Sequence, residues 1–108
     1  TLVNKVDFIS APGTSPPNVY RPGGPKYLIT NKALFSFNEK YKNFKIEKIN
    51  PEYSLDQVVK STGFVFKTNK NLKHFEIPSQ KRIAVLRNLI APKVLSFYPQ
   101  FAKKVWFT

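Results

Sequence analysis

PGGPKYLITNKALFSFNEKYKNFKIEKINPEYSLDQVVKSTGFVF, residues 22–66, decides how the rest of the chain is read. Tyr27, Ile29, Ala33, Phe35 and Phe37 fall on odd positions, Leu28 and Leu34 on even ones, and Asn31-Lys32 interrupts them. That pattern predicts a strand over 27–37, apolar on both sides, with a bulge or sharp turn at Asn31. Phe44 and Ile46 alternate with Lys45 and Glu47 as in a half-exposed strand. Segments 33–38 and 43–49 therefore read as an antiparallel hairpin closed by a charged turn. Asn50-Pro51 ends the second strand. Ser54 to Gln57 is a capping box, in which the hydroxyl takes the Gln57 N–H and the amide side chain reaches back. Asp56 suits the positive end of the helix dipole. Leu55, Val58 and Val59 make the apolar face of this helix, Gly63 reads as its left-handed stop, and Phe64-Val65-Phe66 as a short buried strand.

Toward the N-terminus, LVNKVDFIS (2–10) reads as a short strand, broken at Ala11-Pro12-Gly13. Residues 12–25 hold five prolines and three glycines. Proline lacks an N–H and fixes φ, so this stretch is an ordered loop rather than a helix or central strand. Toward the C-terminus, residues 67–76 are polar and basic and read as a loop. Pro78-Ser79 opens a helix over 79–91, with Val85, Leu86, Leu89 and Ile90 as its stripe and Pro92 as its end. The last stretch, 93–108, is aromatic and basic.

The chain has 108 residues, 42% of them hydrophobic and 15% aromatic, which suits one small domain or a piece of a larger one. No run approaches the roughly 18 apolar residues of a membrane span, and no secretory leader is expected, since no charged-then-apolar segment opens the sequence. There is no cysteine, which excludes disulfides, thiolate metal sites and cysteine nucleophiles. The expected compartment is the cytoplasm. The net charge of +12 asks for an anionic neighbour: an acidic subunit, a phosphate-bearing ligand or a nucleic acid. The alternative is a solvated basic surface, since the lysines, Lys40 to Lys73 among them, form no compact run.

Few residues carry chemistry. His74 is the one histidine, and neither a second His nor an acid at ligand spacing accompanies it, so no metal site or triad is expected. The acids are Asp7, Glu39, Glu47, Glu52, Asp56 and Glu76. Glu39 and Glu47 look exposed, Asp56 serves the helix start, and nothing marks a tuned catalytic carboxylate. Gly23-Gly24-Pro25 can present backbone N–H groups to an anion or a carbonyl oxygen, or simply turn the chain into Tyr27. The aromatic tail suits burial against a neighbouring subunit; base stacking and a membrane surface are the other options.

In order, KYLITNKALFSFN (26–38) and NFKIEKINPEYSLDQVVKSTGF (43–64) resemble the C-terminal part of the β subunit of family I CoA-transferases, the glutaconate and 3-oxoacid type. The carrying motifs are Ile29-Thr30, Ala33 to Phe37, Ile49 to Pro51, Ser54 to Val58 and Thr62-Gly63-Phe64. VDFISAPG (6–13), the Gly23-Gly24-Pro25 turn and IPSQKRIAVLRNLIAP (77–92) are similar to flanking segments of the glutaconate-type subunit. Asn31, Lys32 and Asn38 stand where that family commonly has acids, Ala91-Pro92 replaces its closing Asp-Pro, and the tail is unmatched.

The resemblance implies an α/β fold, a mixed sheet with flanking helices, as an incomplete domain completed by a partner chain. It implies two segments, 1–92 as the β-subunit-like portion and 93–108 as an aromatic and basic arm. It also implies a chemistry in which a glutamate attacks an acyl-CoA thioester, giving an anhydride and then a glutamyl-CoA thioester. That glutamate lies in the N-terminal half of such subunits, and no glutamate here matches it. No catalytic residue is therefore assigned, and Gly23, Gly24 and Thr30 are carried over as turn and strand positions near the substrate. The expected role is a non-catalytic portion or subunit of a CoA-transferase-like enzyme, with the glutamate on another chain. Coenzyme A enters as substrate and no cofactor or metal is expected. The expected partners are complementary, acidic subunits and acyl-CoA, with no membrane. A degenerate homologue, a basic nucleic-acid-binding module and a CoA-ester hydrolase-like subunit are the alternatives, the nucleic acid ranking behind the enzyme.

Overall fold

A computed structural model describes residues 2–107. The chain divides into two compact units, one running to Phe75 and the other beginning at Glu76. The boundary expected after Pro92 marks where the resemblance ends, a different property from compactness; Pro92 itself lies inside a helix.

Among the described residues the first unit holds one mixed sheet of strands β1 (Tyr27–Ile29), β2 (Ala33–Asn38), β3 (Asn43–Ile49) and β4 (Lys67–His74), in that order. The expected single strand 27–37 is a hairpin. Thr30 N–H bonds the Ala33 carbonyl at 2.9 Å, and Thr30 Oγ1 accepts from the N–H groups of Lys32 and Ala33 at 3.2 and 3.1 Å. The hydroxyl thus folds the sharp turn at Asn31. The β2–β3 hairpin forms as expected, with a bulge beside Phe35. It turns through Lys42 in the left-handed region, φ 52°.

The helix α1 (Leu55–Ser61) carries the full capping box: Gln57 N–H to Ser54 Oγ at 3.3 Å, and Ser54 N–H to Gln57 Oε1 at 2.8 Å. It links β3 to β4, which runs parallel to β3, so a strand stands where 67–76 was expected to loop. Its sequence, KTNKNLKH, offers one apolar residue. The ladder to β3, not periodicity, makes it a strand.

Gly63 is not the left-handed stop. The helix ends at an extended Thr62, and a Cβ on Gly63 would lie 2.7 Å from Leu2 O, Asn4 N and Val3 Cα. Its N–H donates to the Leu2 carbonyl at 2.7 Å, so glycine is needed for close approach of two backbones. Of the expected strand 2–10, one bridge remains, Leu2 to Thr62; Phe8 and Ile9 are exposed. Phe64-Val65-Phe66 is not a strand either. Val65 faces solvent, while Phe64 and Phe66 turn back onto Phe35, with ring centroids at 6.1 and 5.1 Å.

The core of this unit is Ala33, Phe35, Ile46, Ile49 and Val58, flanked by Leu28, Phe44, Tyr53, Leu55, Phe66 and Leu72. One face of the sheet is therefore packed beneath α1.

The second unit is helical: α2 (Gln80–Val85), a π-helical turn (Leu86–Ile90), α3 (Ala91–Phe97) and α4 (Pro99–Trp106). Ser79 caps α2, accepting from Arg82 N–H, as its position before the helix suggests. Pro92 does not end the helix but stands in the first turn of α3, inside a helical run that continues unbroken from Gln80. The Ala91 N–H bonds Leu86 O, one residue further than in an α-helix. The wide turn is the local adjustment to a proline donating no bond.

Candidate functional site

A cleft of about 520 Å³ opens beside the β1–β2 turn and the C-terminal end of α1. Leu2, Phe35 and Val58 line its apolar part; Thr30, Asn31, Lys32, Lys60, Ser61, Thr62 and Gly63 complete the wall. Each polar group is positioned by local structure. Ser61 and Thr62 donate their hydroxyls back to the Gln57 and Val58 carbonyls at 2.7 and 2.8 Å, closing the open end of α1. Lys32 Nζ donates to Ser61 Oγ at 2.7 Å and lies 5.5 Å from the centre of the Tyr53 ring. This half-buried ammonium is thus fixed without a carboxylate. Lys60 stands exposed nearby. The cleft combines two cations with an apolar floor, a lining suited to an anionic ligand that carries an apolar body. None of its lining residues is acidic.

The structure does not gather the sequence-predicted positions into one site. Thr30 lines this cleft, but Gly23 and Gly24 lie beyond the other end of β1. They border a small hollow with Gly13, Ser15 and Arg21. Gly23 adopts φ 87°, so glycine serves a left-handed turn there. Arg21 braces that turn, donating to Pro12 O at 3.1 Å and Ser15 Oγ at 2.6 Å. Thr30 Oγ1 is engaged by its own turn, so its contribution to the cleft is shape. Lys32 and Ser61 were missed from the sequence. They are 29 residues apart, and no local pattern joins them.

The acids are placed elsewhere. Glu39 lies 3.7 Å from Lys26 in an exposed pair. Glu47 is not the exposed residue expected. It is half-buried, accepts from Ser36 Oγ at 2.7 Å and Asn69 Nδ2 at 2.8 Å, and has Lys45 Nζ 3.9 Å away. The Ser36 and Asn69 hydrogen bonds, with help from Lys45, hold its carboxyl below the usual glutamate range. Among the described residues no group of His and acidic side chains could hold a metal ion, and no helix is long and apolar enough to cross a membrane.

No protein-family model matches the chain. It is 30% identical over 98 residues to one of the subunits of glutaconate CoA-transferase from Acidaminococcus fermentans, covering 84% of this chain and 36% of that relative. The crystal structure of glutaconate coenzyme A-transferase from the same organism superposes with a TM-score of 0.72 and 26% identity, over 85% of this chain and 38% of the solved one. The chain thus spans little more than a third of its relative's length. The motif order, the mixed sheet and both comparisons agree: over the stretch it shares, this chain resembles the β subunit of the family I CoA-transferases in both sequence and fold.

Proposed function

We propose that the chain is the C-terminal, non-catalytic portion of a CoA-transferase-like enzyme acting on acyl-CoA thioesters, with the catalytic glutamate on another chain. The observation that carries this reading is the cleft at Thr30, which has cations and an apolar floor but no carboxylate in its lining. A nucleophilic carboxylate has to reach the thioester carbon, so it must share the substrate's cleft. Glu47 and Glu39 are committed elsewhere, and Asp56 sits in the first turn of α1. In this reading Lys32 and Lys60 meet the negative charge of the substrate, a CoA phosphate or an acyl carboxylate. Thr30 shapes the wall beside them, and Gly23-Gly24 sets the entry of β1. Coenzyme A is a substrate here, and the complementary subunit is acidic.

The test is an assay of the pure chain with an acyl-CoA and a free carboxylate acceptor. Neither CoA transfer nor thioester hydrolysis is expected. Transfer that co-purifies with the chain and is lost on replacing one of its own glutamates by glutamine would overturn the proposal.

A further inference from the structure

The sheet face opposite α1 is divided by chemistry. On the β1 side it shows Tyr27 and Ile29, 70% and 69% exposed, beside Leu34. On the β3–β4 side it shows lysines in register: Lys45 opposite Lys67, and Lys48 opposite Lys73. The pairings Ser36 with Lys45 and Leu34 with Lys48 place these lysines on the same face as Leu34. Like charges directly opposite one another across a ladder are destabilising, and Glu47 is the one acid among them. It approaches Lys45, and Lys67 lies over the Tyr41 ring at 5.1 Å. Among the described residues no carboxylate pairs with Lys48 or Lys73.

We propose that this face seats an acidic amphipathic helix from a different polypeptide, its apolar stripe on Tyr27, Ile29 and Leu34 and its carboxylates on the facing lysines. The apolar strip on this face is itself largely exposed, and a helix is the usual cover for an apolar sheet face. Charge complementarity selects the occupant. A second copy of this chain, with 18 Lys and Arg against 6 Asp and Glu, brings more positive charge to a face that already has too much. A nucleic acid would satisfy the lysines and leave the apolar strip without a partner. The inference rests on the geometry of the sheet, and its test reads binding rather than activity, so it fails separately from the transferase reading.

The experiment follows backbone amide resonances of the full chain on titration with three probes. These are a synthetic amphipathic peptide with a leucine stripe flanked by glutamates, the same peptide flanked by lysines, and a short DNA duplex. The glutamate peptide is expected to shift Tyr27, Ile29, Lys48 and Lys73. The double variant K48E/K73E should weaken that binding by about tenfold and favour the lysine peptide instead. K48Q/K73Q removes the charges without reversing them and should weaken the glutamate peptide by a smaller factor, which guards against misfolding of the reversed variant. No shift at these residues, equal response to both peptides, or tighter binding of the duplex to this face would overturn the proposal.

Discussion

The part of the chain up to Phe75 and the part from Glu76 bury their apolar residues in different ways. The first draws Phe35, Ile46 and Val58 from three elements into one core, so its stability is spread over contacts distant in sequence. The second buries Ala91 and Ala102, while Leu89, Phe97 and Phe101 remain more than half exposed. Its order rests on local devices, a serine cap and a proline in a first turn. The difference teaches where a substitution is felt: through the whole sheet in the first part, and within a turn or two in the second.

The largest expected effect is at Phe35, whose ring meets those of Phe44, Phe64 and Phe66. Phe35→Ala should cost about 3–5 kcal/mol and unfold the sheet, read as loss of amide-exchange protection across β2 and β3. Retained protection would break the contrast between the two parts. Gly63→Ala is next. Forcing a Cβ against the Leu2 and Val3 backbone should cost about 1–3 kcal/mol and release the N-terminal segment, seen as faster exchange of the Gly63 amide. The caps sharpen the comparison further. Ser54→Ala and Ser79→Ala each remove one helix cap, worth about 1 kcal/mol. The first should lower the unfolding midpoint of the sheet, because α1 covers its core. The second should only reduce helical circular dichroism.

The smallest effect is electrostatic. The Glu47 carboxyl is held below its ordinary range, so its hydrogen bonds add stability above the unfolded pKa of about 4.3. That contribution disappears as pH falls through the lowered folded value. Glu47→Gln should flatten the acid limb of a stability-versus-pH curve and leave the shape at neutral pH unchanged. An unaltered acid limb would show that Ser36 and Asn69 do not grip the carboxylate in solution.

What the sequence revealed follows the same divide between local and distant. The β2–β3 hairpin and the Ser54–Gln57 capping box were legible because their hydrogen bonds close within a few residues. Strand β4 was hidden because Lys67 to His74 carries almost no apolar signal, and its partner β3 lies across a helical crossover. Pro92 was misjudged because the wide turn before it carries the helix through a proline that would otherwise end it. Gly63 reads as a stop by rule, but what fixes it is the backbone of Leu2 and Val3, far away in sequence. At the cleft, Thr30 is a position that the resemblance names, whereas Lys32 and Ser61 meet only after folding. Gly23 and Gly24, found in the same way as Thr30, lie at the other end of β1.

The central question is which polypeptide carries the reactive carboxylate. The direct measurement is to isolate the native complex containing this chain, incubate it with acyl-CoA, and locate the covalent coenzyme A thioester by mass spectrometry of the separated chains. The adduct is expected on a glutamate of a second, acidic polypeptide, with none on this chain. An adduct on Glu39, Glu47, Glu52 or Glu76 would contradict it.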